Sequence, residues 1–266
     1  MGIRRWLRWG RLIEDHVRRW IGWHDSEHKR MKDAQAFWDR PLNDQNASWY
    51  HLRESALFVG DGESNWAAIG QRHLDLFQSI ARTVDFSLPI QKIIEWGCGG
   101  GANAVRFAPL CQEFFGVDVS EAVLKECQAQ LEQSGNSSVF HPVKIQIPDP
   151  ESALNLLPRN ADLFYSMYVF ELFPSINYCQ RVLSIARTVL RPGGVAYIQI
   201  KYATRDRRTH PRHWGYRRGV ANMCSFELDA FWRLCESCGF TPHTIQLVPR
   251  PVEVPDERYA YFLMTR

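Results

Sequence analysis

From Asn65 onward the chain alternates between two kinds of apolar pattern. "NWAAIGQRHLDLFQSIARTV" repeats its apolar residues at helical spacing, whereas "IQKIIEWG" is a short, nearly continuous apolar run of the kind a buried strand needs. A glycine-rich loop follows and opens a helix from Ala102 to about Leu110, ended near Pro109. "EFFGVDVS" is the next strand, and "SEAVLKECQAQLEQSG" is a helix with Ser120 as N-cap and Gly135 as its stop. The alternation continues with strands "HPVKIQI" and "ADLFYSMYV", a helix around "NYCQRVLSIARTVL" closing at "RPGG", and a fifth strand "VAYIQIKY". "SFELDAFWRLCESCGF" is a helix, and "TPHTIQLV" and "RYAYFLMT" are strands joined without one. Strands separated by helices build a mostly parallel sheet covered on both faces, and the last two strands finish it as an antiparallel pair. The expected architecture is a three-layer α/β sandwich on residues 63–266.

The first 62 residues differ in character and form a helical N-terminal extension. Ile3, Trp6, Leu7, Ile13, Val17, Trp20 and Ile21 recur at helical spacing. Arg4, Arg5, Arg8, Arg11, Arg18 and Arg19 fill in around them against only Glu14 and Asp15. Such a helix packs on its own domain or on a second copy, or lies on an anionic membrane surface. Further on, "FWDRPLNDQNASWYHL" is a polar-aromatic block, and Tyr50 and His51 within it are candidates for a lid over a site.

Composition narrows the functional classes. With 45% hydrophobic and 13% aromatic residues the chain supports a packed core, and a net charge of +3 is too small to imply nucleic acid as a partner. Seven cysteines are scattered without a disulfide framework, and the CxxC of Cys235 and Cys238 sits in a helical stretch with no second pair, so structural thiols are expected. No apolar run approaches the ~20 residues of a spanning helix, and the N-terminus lacks the apolar core of a signal peptide, which makes the reducing cytoplasm the expected compartment. No metal-ligand constellation is visible, although the oxygen ligands of Mg²⁺ leave little trace in sequence.

The stretch "IIEWGCGGGANAVRFA" carries the chemistry. Gly97, Gly99 and Ala102 satisfy the loose dinucleotide pattern, and Asp118, 17 residues beyond Gly101 at the end of the second strand, is placed to accept ribose hydroxyls. A nicotinamide dinucleotide and S-adenosylmethionine fit that pair equally. Three features separate them. Glu95, two residues before the first glycine, repels a pyrophosphate but suits a sulfonium amino acid; no second mononucleotide-binding half follows; and a two-strand ending is foreign to a dinucleotide domain.

With those pieces in order, the chain resembles the class I S-adenosylmethionine-dependent methyltransferases. The matching segments are "IIEWGCGGG", "GVDVS", "ADLFYSMYVFELF" and "LRPGGVAYIQI", spread over about 65–266. "WGCGGGANAVRFAP" and "YVFELFPS…YIQIKY" look most like bacterial enzymes of sugar and polysaccharide biosynthesis. The resemblance implies a Rossmann-like fold with a seven-stranded sheet and an antiparallel last strand. It also implies S-adenosylmethionine as methyl donor, with S-adenosylhomocysteine as product. Glu95, Gly97, Cys98, Gly99 and Gly101 would line its amino-acid part, Asp118 its ribose, Val119, Gln146 and Ile147 its adenine, and Ser166 and Met167 its sulfonium. Where relatives often carry an acid, this chain has Gln146, with Asp149 three residues on.

An alcohol acceptor needs a base, usually His or a carboxylate. Related enzymes often place a His just after the fourth strand, but Leu172 stands there, leaving Glu171 and Tyr168 as candidates beside it. The loop "KYATRDRRTHPRHWGYRRG" offers His210 as a further base. Its Lys201, Tyr202, Arg205 and His213 are candidate contacts to an anionic acceptor, against the plain alternative of a solvated basic loop. The expectation is O-methylation of a small acceptor, a sugar or glycan unit. N- or carboxyl-methylation and a non-catalytic subunit of a glycan-assembly complex stand as alternatives. No tetrapeptide of the nucleic-acid methylating type follows the fourth strand.

Overall fold

The computed structural model describes residues 14, 17, 18, 20–39, 62–84, 86, 89–218, 220–251 and 256–266. Seven strands form one sheet: β1 Ile90–Trp96, β2 Cys111–Asp118, β3 Phe140–Lys144, β4 Ala161–Ser166, β5 Leu190–Lys201, β6 Thr241–Val248 and β7 Tyr259–Thr265. Their order is β3-β2-β1-β4-β5-β7-β6, with β7 antiparallel to both neighbours. The helices are α1 Glu27–Trp38, α2 Gly62–Ala81, α3 Ala104–Phe107, α4 Glu121–Gln133, α5 Ile176–Val189 and α6 Leu228–Ser237.

Period-two alternation explains the layering. On β1, Ile94 and Trp96 join one core with α5 and α6, while Ile93 joins the other with α2, α3 and α4. β4 divides the same way, Phe164 to the first core and Leu163 and Tyr165 to the second. A strand buried on both faces has no polar side to spare, hence its continuous apolar run. Turn chemistry sets the helix ends. Ser120 accepts from Val123 N at 3.4 Å, Ser175 accepts from Tyr178 N at 3.0 Å, and Gly135 stops α4 at φ +75°. The helix expected after the glycine loop is short, a four-residue α3 that tightens into a 3₁₀ turn over Ala108–Leu110, because Pro109 lacks an N–H. Cys235 is buried on α6 and Cys238 caps its end, and all seven cysteines are free thiols.

The described part of the N-terminal extension is attached to the sheet. Ala34 and Phe37 of α1 enter the first core, Gln35 Oε1 accepts the N–H of Ile147 at 2.7 Å, and Asp25 accepts the N–H of Gly215 at 2.8 Å. Ahead of α1, Val17, Trp20, Ile21 and Trp23 are exposed, Trp20 by 82%. Tyr50 and His51, the expected lid residues, lie outside the described residues. Among the described residues, no helix is long and apolar enough to cross a membrane.

Helix α2 approaches the glycine loop so closely that a Cβ on Gly70 would stand 1.9 Å from the Ala102 carbonyl oxygen. Gly70→Ala is therefore expected to cost about 2 kcal/mol or more through backbone displacement. Gly135→Ala meets open space and is expected to cost only about 1 kcal/mol, from its positive φ. Urea denaturation of the two variants checks the ranking; equal losses would show that close packing is not the constraint.

Candidate active site

The chain leaves β1 while still bonded to β2: Gly97 N and Cys98 N both donate to Val117 O, at 2.7 and 3.1 Å. Gly97 has φ +77°, and a Cβ there would lie 2.4 Å from Val169 Cγ2, so no other residue fits. Gly99 N donates to Asp118 Oδ2 at 3.1 Å, and Ser120 N donates to Oδ1 at 3.0 Å. One lone pair on each carboxylate oxygen is thereby spent on backbone, and the side chain is locked facing the loop.

These residues open onto a cleft of about 940 Å³ of empty space, its mouth included, at the C-terminal ends of β1, β2 and β4. Gly97, Cys98, Gly99, Gly100, Asn103, Asp118 and Val119 line one part, and Ile145, Ile147, Met167 and Tyr168 another. Trp38, Leu172, Phe173, Pro174, Tyr178 and Tyr216 form an aromatic and aliphatic wall. Trp38 Nε1 donates to the Tyr216 hydroxyl at 2.8 Å, and that hydroxyl donates to Leu172 O at 2.5 Å, which holds α1 against the wall.

Beneath the loop, Glu95 is fully buried and accepts from Asn103 Nδ2 at 2.9 Å. Burial pushes its carboxyl up to about 8, the Asn103 bond and the nearby Tyr165 hydroxyl pull against that, and Asp118 adds to it. Burial likewise raises Asp118, opposed by the N–H groups of Ser120, Gly99 and Val119. Asn103 passes the contact on, its Oδ1 lying 2.8 Å from His73 Nδ1, and His73 Nε2 lies 3.1 Å from the Tyr261 hydroxyl. Tyr168 has φ +57°, rare for a residue with a Cβ, and its N–H donates to Gln199 Oε1. Its ring sits between His73 and Tyr259, with centroids 5.1 and 4.9 Å away.

Several residues expected at the site lie elsewhere. Gln146 is exposed: after β3 the side chains alternate, so Ile145 and Ile147 face the cleft and Gln146 faces away. Ser166 is buried and spends its hydroxyl on Trp96 O at 2.8 Å. Gly101, at φ +92°, turns the backbone beneath the cleft against Cys127 rather than lining it. Glu171 is buried behind its turn, away from the cleft; burial and Asp256 push it up to about 8, with Lys201 opposing. Lys201 is itself 3% exposed and paired with Asp256 at 2.5 Å, so it is not a surface contact for an anionic acceptor. His210 Nε2 lies 2.9 Å from Thr204 O within its own loop, Arg205 is exposed, and Tyr202 bridges by backbone to Phe226. His213 Nδ1 lies 3.3 Å from Arg30 Nη1, and its ring packs on His24, so it fastens the N-terminal segment.

Other residues escaped the sequence reading. Trp38, Tyr178 and Tyr216 come from three separated segments, and nothing local marks them as cleft-lining. His73 did carry a signal: it is a polar residue inside the apolar stripe of Ile69, Leu74, Phe77 and Ile80 on α2. Among the described residues, no group of three or more His, Cys, Asp or Glu is placed to hold a metal ion.

Comparison with known proteins agrees with this geometry. Residues 94–198 match the methyltransferase domain family. The chain is similar in structure to a candidate O-methyltransferase from Nostoc punctiforme at 16% identity, TM-score 0.50, covering 85% of this chain and 67% of that one. It is similar to the N-methyltransferase NodS from Bradyrhizobium japonicum at 14% identity and TM-score 0.52, covering 73% and 96%. It is also similar to the [4+2]-cyclase SpnF at 13% identity and TM-score 0.55, covering 74% and 81%. No curated protein matches the sequence.

The domain match over residues 94–198 and the Rossmann-like methyltransferase fold support a methyltransferase that uses S-adenosylmethionine. The glycine cradle, which a single Cβ would fill, and the fixed Asp118 carboxylate fit that cofactor.

Glu95 and Glu171 hold their protons to about pH 8 in the fold but release them near 4.5 when unfolded. The native state therefore binds more protons across that window, and stability falls as pH rises from about 4.5 to about 8. Glu95→Gln and Glu171→Gln should each flatten part of that slope in urea denaturation at about pH 5 and about pH 8. An unchanged slope in both would exclude these carboxyls as its source.

Proposed function

We propose that the chain is an O-methyltransferase of a small hydroxylated acceptor, a sugar or glycan unit. The observation that supports this most is Tyr168. It lines the cleft and is held in a strained backbone conformation. The bound cofactor supplies a methyl group already activated by its sulfonium leaving group. Asp118, Gly97 and Gly99 bind and orient the donor, while Glu95, expected as a contact, is buried beneath the loop outside the cleft lining and supports it through Asn103. The wall of Trp38, Phe173, Tyr178 and Tyr216 excludes water and suits the C–H face of a sugar ring. Positioning two reactants in such a cleft carries much of the acceleration. Tyr168 is the hydroxyl-bearing side chain that orients the acceptor oxygen, whose proton leaves to solvent at the mouth of the cleft.

Formation of S-adenosylhomocysteine with a panel of glycosides and nucleotide sugars tests this reading. Tyr168→Phe should lower kcat by about 100-fold, with cofactor affinity changed by less than about threefold. N-methylation is the second reading, favoured by the absence of His210, His213 and Glu171 from the cleft lining, since a neutral amine needs no base. Under it, Tyr168→Phe stays active and the rate follows the amine's own titration. Cofactor binding with no turnover on any acceptor would favour a non-catalytic role.

The exposed Val17, Trp20, Ile21 and Trp23, in a segment rich in arginine, support peripheral contact with an anionic membrane surface. The chain should co-sediment with phosphatidylglycerol vesicles and not with pure phosphatidylcholine, and Trp20→Ala with Ile21→Ser should weaken binding by about tenfold. Self-association by ultracentrifugation without vesicle binding would assign the patch to a second copy instead.

A further inference from the structure

Four residues from four different elements make a buried hydrogen-bonded chain beneath the cleft. Glu95 comes from β1, Asn103 from the turn before α3, His73 from α2 and Tyr261 from β7, and their exposures are 0, 8, 0 and 1%. The direction of the chain follows from its donors. Asn103 spends its Nδ2 on Glu95, so its Oδ1 faces His73 and must accept; His73 Nδ1 therefore carries a proton. In the neutral ring Nε2 then accepts, and the Tyr261 hydroxyl donates to it.

The arrangement has a local cost. Asn103 occupies the N-cap position of α3, where its side chain would normally accept from the helix, yet it makes no capping bond. Both ends of its amide are committed to Glu95 and His73 instead. Asn103 lines the cleft, and so does Tyr168, whose ring packs on the same imidazole at 5.1 Å. One side chain thus touches a residue from the glycine-loop side of the cleft and a residue from the opposite side.

We propose that His73 is a positioning residue for methyl transfer: its Nδ1–H fixes the Asn103 amide and through it Glu95, while its ring seats Tyr168. The inference rests on reading the cleft as the cofactor site. It explains why an imidazole stands in the apolar stripe of α2, where a leucine would pack without any polar group to satisfy. A ring with one defined tautomer gives both neighbours a fixed reference, and the four-element chain leaves neither free to rotate.

The test uses S-adenosylhomocysteine affinity, kcat with whichever glycoside or nucleotide sugar of the panel is turned over, and the thermal midpoint of each variant. His73→Leu keeps the bulk and should weaken S-adenosylhomocysteine binding by about tenfold while also lowering kcat. His73→Asn, whose amide nitrogen overlays Nδ1, should restore binding to within about threefold of the original. Equal binding by His73→Leu and the unaltered chain would overturn the proposal, as would a His73→Asn variant no better than His73→Leu. A measurement on the unaltered chain stands beside these should His73→Leu fail to fold. The imidazole nitrogens of the ¹⁵N-labelled protein should report a slowly exchanging Nδ1–H and a bare Nε2, and the signal should move when S-adenosylhomocysteine is added. A proton on Nε2 alone, or no movement, would also overturn it. Failure of the unaltered chain to bind S-adenosylhomocysteine at all would instead refute the cofactor reading itself.

Discussion

The architecture depends on how the chain departs from the end of β1. Gly97 and Cys98 keep donating to Val117 of β2 after the strand has ended, and Gly99 then donates to the Asp118 side chain. These bonds hold the backbone against its neighbour through a turn that only glycine can make at position 97. Because β4 lies on the other side of β1, the strand order reverses here, and the crevice opens between the two diverging connections. Val169, which blocks any Cβ at Gly97, belongs to the connection after β4. The same contact that demands the glycine therefore also fixes one border of the cleft.

Buried polar groups are the cost of this design. Glu95 lies under the loop, Glu171 follows β4, and Lys201 ends β5, where it pairs with the half-buried Asp256. Each would be solvated more favourably in water; Glu95 is held by Asn103 and Lys201 by Asp256, whereas Glu171 Oε2 meets no hydrogen-bond partner among the described residues. Tyr168, packed between His73 and Tyr259, is itself held at positive φ. A site assembled from strained and desolvated parts is rigid before any ligand arrives, which suits a reaction whose main demand is alignment.

Membership of the fold extends across chemistries. A candidate O-methyltransferase, an N-methyltransferase and a cyclase all share the sheet. In this chain the wall opposite the glycine loop draws on α1, the turn before α5 and the loop carrying Tyr216. Trp38 and Gln35 show that the N-terminal segment contributes to the cleft and to the end of β3 directly.

Local order was legible because it is written locally. Alternation marks strands, a serine before a helix and a glycine after it mark the ends, and the loop glycines with Asp118 mark the cleft, since all of these depend on residues a few positions apart. Even there, one residue of register decides the face, and Gln146 turned outward while Ile147 turned in. Ser166 and Glu171 have the right chemistry beside the right strand, but Ser166 spends its hydroxyl on Trp96 O and Glu171 is buried outside the cleft lining. The basic loop after β5 reads as an acceptor clamp, yet its histidines bind backbone and the N-terminal segment. The sequence by itself determined the fold and the glycine loop facing Asp118, because these rest on short-range spacing. Only the tertiary structure decided which side chains meet on the acceptor side, because Trp38, His73, Tyr168, Tyr216 and Tyr261 are brought together by packing between elements far apart in the chain.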